Sequence, residues 1–189
     1  DGTLVEFNGT WLTILEKLAF EVADGNSVEA ARLLEIGGYD RASNSFLAGS
    51  ELAAGTTETI VKLWIGDSDA KRSVFWKARL DRTFLEEGPV SAVPVPGLFA
   101  TLVRLHSEGR KLAVVTNDLE AAARRTIENF GATHLFSVFL GYDSVKNPKP
   151  AADPVHLACE MLNISPPETV VVGDNLHDIE MARNAGAGA

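Results

Sequence analysis

The chain has 189 residues, of which 46% are hydrophobic, enough to bury one full core or a core plus a smaller inserted one, so composition excludes an intrinsically disordered protein. A formal net charge of -9 argues against nucleic acid and anionic membrane as partners, because both need Lys and Arg to replace counterions, while a small anionic substrate stays open. Cys159 is the only cysteine, so no internal disulfide can form, and with no apolar run near the roughly 20 residues of a spanning helix the expectation is a cytoplasmic protein. No feature of the sequence sets an oligomeric state.

From Asn8 to about Glu87 the pattern is helical. Trp11, Leu15, Leu18 and Val22 recur at spacings of three and four and form one helix face. Ser27 is placed to cap a second helix that stops at Gly37-Gly38, and Thr57 to cap another carrying Ile60, Leu63 and Trp64. Residues 38–55, rich in Gly, Ser, Ala and Asn, read as a loop with one turn of helix. Asp69 to Leu85 adds Val74, Trp76, Leu80 and Phe84 as a further amphipathic stretch. The three tryptophans fall on helix faces and read as core.

At Pro94-Val95-Pro96-Gly97 the grammar changes to alternating helices and short apolar strands. Helix Leu98 to Ser107 ends at Gly109, Leu112 to Val115 is a strand, and Leu119 to Phe130 is a helix closed by Gly131. Phe136 to Phe139 is a second strand, a helix starts near Asp153-Pro154, Val170 to Val172 is a third strand, and Leu176 to Ala185 is the last helix. Continuous β-branched runs separated by helices indicate a parallel sheet buried on both faces. The fold class is therefore α/β, a Rossmann-like parallel sheet with helices on both faces, plus an inserted all-helical cap. Residues 1–7 and 91–189 are assigned to the α/β core domain and 8–90 to the cap domain.

Ligands of an open parallel sheet bind at the carboxyl ends of its strands. The residues there are Asp1, Gly2 and Thr3; Thr116, Asn117 and Asp118; Asp143, Lys146 and Lys149; and Gly173, Asp174 and Asp178. They supply hydroxyl, ammonium and carboxylate groups to one edge.

The chain shows D-G-T-L at residues 1–4, V-V-T-N at 114–117, K-P at 149–150 and G-D-N-L-H-D at 173–178. Their order, spacing and strand-end placement resemble the haloacid dehalogenase superfamily of hydrolases, in particular its phosphoglycolate phosphatase-like branch with a helical cap. The resemblance covers essentially the whole chain, and the four motifs together are specific where each alone is weak. It implies a Mg2+-dependent phosphatase acting on a small phosphorylated metabolite through an aspartyl-phosphate.

In that reading Asp1 is the general acid and base, Lys149 neutralises charge on the phosphoryl group and the attacking carboxylate, and the Thr116 hydroxyl and Asn117 N–H bind phosphate oxygens. Asp1, Asp174 and Asp178 serve the metal, Asp178 by orienting Lys149 or a metal-bound water. The chemistry is coherent: a carboxylate attacking a dianion needs a divalent cation and a positive side chain to cancel repulsion. The family's nucleophile stands two positions before Asp1, so the resemblance implies a preceding strand that carries it, and a further strand after Ala189.

Alternatives at single positions are bland. Asp174 and Asp178 alone read as a helix cap and a solvated helix-face residue, and Thr116 as a strand-end hydroxyl. Lys146 rivals Lys149, which is favoured by the following Pro150. His177 reads as an exposed loop residue, and His106, His134 and His156 lack metal-ligand spacing. Arg41 in the 37–55 loop is a candidate for substrate selection. Rival functions on the same scaffold are a metal-free haloacid dehalogenase, disfavoured by Asp1, a phosphomutase, and a non-catalytic binding protein.

Overall fold

The computed structural model describes residues 2–66 and 68–189, so Asp1 lies outside the described residues. Helix α1 (Phe7–Val22) and helix α2 (Ser27–Ile36) pack against each other, and a short antiparallel hairpin of β1 (Tyr39–Asp40) and β2 (Ser45–Phe46) follows. One helical turn, α3 (Glu51–Ala54), leads into α4 (Thr57–Ile65) and the long α5 (Ala70–Ser91). The hairpin falls where the sequence reads as loop, and its stabilising element is the cross-strand pair Tyr39 and Phe46, whose rings lie 5.3 Å apart.

Two helix starts differ by one residue from the sequence reading. Asn26, not Ser27, caps α2, because its side-chain oxygen accepts from both Val28 N (3.0 Å) and Glu29 N (3.1 Å). Thr56, not Thr57, caps α4 by accepting from Thr59 N, and Thr57 is buried as the first helical residue.

Helices α1, α2, α4 and α5 close around one apolar core. Leu18 and Leu80 are fully buried within it, Trp11 meets Phe84 edge to face at 5.3 Å, and Trp64 donates its indole N–H to Leu33 O at 3.0 Å. Trp76, Leu80 and Phe84 define the buried face of α5, so Val74, two positions ahead of Trp76, turns to solvent instead of joining them. The helix also continues six residues past Leu85, through Pro89, which cannot donate to the Leu85 carbonyl. Arg125 Nη1 takes up that carbonyl at 3.4 Å, and Asn129 Nδ2 donates to Pro89 O at 2.9 Å.

Beyond Pro94 come α6 (Leu98–Ser107), β3 (Leu112–Val115), α7 (Glu120–Asn129), β4 (Phe136–Leu140), α8 (Asp153–Leu162) and α9 (Leu176–Ala185). Strands β3 and β4 are parallel, with Leu112 opposite Phe136 and Val115 opposite Leu140, and α7 makes the crossover. Val170 to Val172, read from sequence as a third strand, makes only one parallel bridge, from Val170 to Gly188. Val170 and Val172 are 70% and 76% exposed, and among the described residues no backbone pairs with their other side. Strand formation needs a neighbour, and an apolar run does not supply one.

The two crossings between the helical and the sheet halves run side by side, with Glu6 N donating to Val93 O at 2.7 Å and Val95 N to Leu4 O at 3.1 Å. Between β3 and Val170–Val172 lies a cavity of about 570 Å³, roofed by helical residues that include Trp11, Leu52 and Ile60. Among the described residues no helix is long and apolar enough to cross a membrane.

Candidate active site

Gly2 and Gly173 explain how the ends of distant segments come so close. A Cβ on Gly2, whose φ is +75°, would sit 2.0 Å from the Asp174 carboxylate, and one on Gly173 would sit 2.2 Å from the Asp178 carboxyl carbon. The glycines thus admit both carboxylates to the strand-end edge. Thr3 Oγ1 donates to Asp174 Oδ1 at 2.8 Å, and Asn175 Nδ2 donates to Asp174 Oδ2 at 3.0 Å.

Lys149 stands before a cis bond to Pro150 and donates to Asp178 Oδ1 at 2.7 Å. The two side chains are 14% and 9% exposed, so the pair is largely out of water and neither partner can be removed without leaving a buried charge. The other Asp178 oxygen accepts from Asn175 N at 3.1 Å. Lys146, the rival lysine, is exposed and does not line the cavity.

At the end of β3, Thr116 N extends the ladder to Leu140 O at 2.9 Å. Its Oγ1 accepts from Asp118 N at 3.1 Å, which leaves the hydroxyl proton for an acceptor in the cavity. Asn117 uses its side-chain amide to hold the helical half, donating to Ala54 O at 2.9 Å, while Asn117 Oδ1 is buried without a partner among the described residues. Asp118 is half-buried, and loss of water pushes its carboxyl up to about 6; the Leu119 N–H opposes this, and Asp81 and Asp143 add to it.

Thr116, Asn117, Lys149, Asp174 and Asp178 therefore line one cavity, together with Thr3, Asp118, Asn175 and His177. His177, expected on an exposed loop, has a buried Nδ1 with no partner among the described residues. His106, His134 and His156 are exposed. Arg41 pairs with Glu35 away from the cavity, so the 37–55 loop reaches the strand ends through its backbone, at Gly49 and Ala54. Trp11 belongs to the helical core and also lines the cavity.

Asn175 is the polar residue that sequence reasoning passed over. Its place directly after Asp174 and at the start of α9 was the available signal, but its partners are fixed only by the tertiary fold.

Among the described residues no group of three or more His, Cys, Asp or Glu side chains is placed to hold a metal. Magnesium does not require one, since it is commonly held by one or two carboxylates with waters and substrate phosphate completing the octahedron. Asp174 suits that role: its partners among the described residues are a hydroxyl and an amide, both neutral, whereas Asp178 faces an ammonium. The donor set therefore fits a magnesium ion at Asp174.

Comparison with known proteins gives the family of the chain. A pyrophosphatase PpaX from Halalkalibacterium halodurans is 39% identical over 93 residues, which are 49% of this chain and 43% of that protein. A phosphoglycolate phosphatase from Psychrobacter arcticus is 34% identical over 117 residues, 62% of this chain and 49% of the relative. The matches thus span less than half the length of these curated relatives. The crystal structure of a HAD phosphatase from Thermococcus onnurineus superposes with a TM-score of 0.67 at 25% identity, covering 99% of this chain and 80% of that one. Residues 1–186 match the haloacid dehalogenase-like hydrolase family as a whole, and the chain belongs to that family.

Proposed function

We propose that the protein is a Mg2+-dependent phosphatase of small phosphorylated metabolites, with phosphoglycolate, sugar phosphates and pyrophosphate as the substrate classes to test. The observation that carries this reading is Lys149, held at 2.7 Å by Asp178 on the wall that also presents Thr116 and Asp174. An ammonium fixed by a carboxylate but still holding further N–H donors is suited to a phosphoryl dianion.

In this reading the free proton of the Thr116 hydroxyl and the Asn117 backbone N–H bind phosphoryl oxygens, and Lys149 offsets the charge that builds up on them. Asp178 orients Lys149 and bears on the metal only through it. Asp174 holds the magnesium ion, which when bound would supply Lewis-acid polarisation and cancel repulsion between the substrate and an attacking carboxylate. Asp1 protonates the leaving oxygen and then activates water, as the family resemblance implies. The helical half acts as the cap that excludes water.

The test is phosphate release by the full-length protein from that panel, with and without Mg2+, beside Lys149→Ala and Asp174→Asn variants. Release that requires the metal and falls by about 10³ in kcat/KM in either variant supports the proposal. Halide release without metal would select a dehalogenase instead, and phosphate migration within one sugar a mutase. Silence on every substrate by well-folded protein would leave only a binding role and sink the phosphatase.

A further inference from the structure

Asn175 joins two parts of the molecule that are far apart in sequence. Its side-chain oxygen accepts the Gly49 N–H from the helical half at 2.7 Å, and its side-chain nitrogen donates to Asp174 at 3.0 Å. The orientation of the amide is fixed by chemistry: a backbone N–H can only donate and a carboxylate can only accept, so oxygen must face Gly49 and nitrogen must face Asp174. Flipping the amide would break both contacts together.

The neighbouring groups make this arrangement a node. Asn175 N binds Asp178, which binds Lys149, and Thr3 holds the other oxygen of Asp174. A small cavity of about 120 Å³, lined by Phe46, Ala48, Asp174 and Asn175 among others, separates the loop from the rest of the strand-end edge. The loop is therefore not packed solidly onto Asp174, and a short polar link carries the contact.

We propose that Asn175 is a positioning residue through which seating of the 47–50 loop on the strand ends orients the Asp174 carboxylate, so that loop closure and occupation of the site favour each other. The inference rests on the phosphatase reading for the roles of Asp174 and Lys149. With the loop lifted, Asn175 Oδ1 loses its acceptor contact, the amide is free to rotate, and Asp174 Oδ2 loses its donor. Linkage makes the effect mutual: a ligand that needs Asp174 in place also holds the loop down.

The experiment is amide hydrogen exchange of residues 47–50 in the full-length protein, alone and with Mg2+ plus inorganic phosphate, for wild type, Asn175→Ala and Asn175→Asp. Calorimetry of the same probes runs alongside. In wild type the probes slow exchange of this segment by about fivefold or more, as expected for strengthening one hydrogen bond. Asn175→Ala exchanges about five- to tenfold faster without probes, and the probe effect disappears. Asn175→Asp puts a second carboxylate against Asp174 where the amide donated at 3.0 Å, so repulsion between the two loosens the contact to Gly49 as well and exchange without probes rises toward that of Asn175→Ala. If wild type binds both probes yet Asn175→Ala exchanges and responds as wild type does, the coupling is wrong and the phosphatase reading stands. Asn175→Asp exchanging as slowly as wild type without probes also overturns it. Wild type that binds neither probe removes the phosphatase reading and the coupling with it.

Discussion

The helical half and the sheet half solve the packing problem differently. Helices α1, α2, α4 and α5 converge on one continuous apolar cluster in which Leu18, Ala19 and Leu80 are completely buried. The sheet half divides its buried side chains among three smaller clusters around an open cavity, and leaves Val170 and Val172 largely exposed. The polar residues of the candidate site line that cavity. The helical half thus encloses its own core, and the polar groups of the candidate site gather at the strand ends of the other half.

The largest effect expected from this contrast is at Leu80. Leu80→Ala removes a fully buried side chain from a closed core and should cost about 3 to 4 kcal/mol, read as a lower urea midpoint with an unchanged slope. A cost below about 1 kcal/mol would show that the helical half is not the tightly packed one.

Asp118 gives the next effect, of opposite sign. Its carboxyl is raised to about 6 by burial, so the folded state binds the proton more tightly than the unfolded chain does. The group therefore disfavours folding progressively as pH rises from about 4 to about 6, and the penalty is complete above that window. Asp118→Asn retains an oxygen for Leu119 N, so it should raise stability at pH 7 by up to about 2 to 3 kcal/mol and have little effect at pH 4. Equal melting-temperature shifts at the two pH values would contradict the assignment.

The smallest effect is at Val74, which is 71% exposed on the solvent face of α5. Val74→Thr should change stability by less than about 0.5 kcal/mol, in contrast to Leu80→Ala. A loss comparable to that of a buried valine would mean that this face of α5 is covered in solution.

Much of this was legible in the sequence because it is local. Apolar spacings gave α1, α4 and α5 their faces, and short apolar runs gave β3 and β4. The strand-end rule brought Thr116, Lys149, Asp174 and Asp178 to one cavity although Thr116 and Asp178 are far apart along the chain. Choosing Lys149 over Lys146 also agrees with its burial against Asp178. The misses share a cause: each depended on a partner outside the local window. Val170–Val172 has the composition of a strand but only Gly188 as a neighbour. The hairpin needed Tyr39 to meet Phe46, and Asn175 acquires its function only when Gly49 arrives from the other half. Caps slipped by one residue because adjacent Asn-Ser and Thr-Thr pairs offer two competent side chains, and the choice between them is made by geometry.

The most direct test of a single phosphate-handling site is a crystal structure of the full-length protein with Mg2+ and inorganic phosphate. The expected result is a metal on Asp174 and a phosphate within hydrogen-bond reach of Thr116 Oγ1, Asn117 N and Lys149 Nζ. Phosphate bound elsewhere, with Lys149 still engaged only by Asp178 and no metal at Asp174, would contradict it.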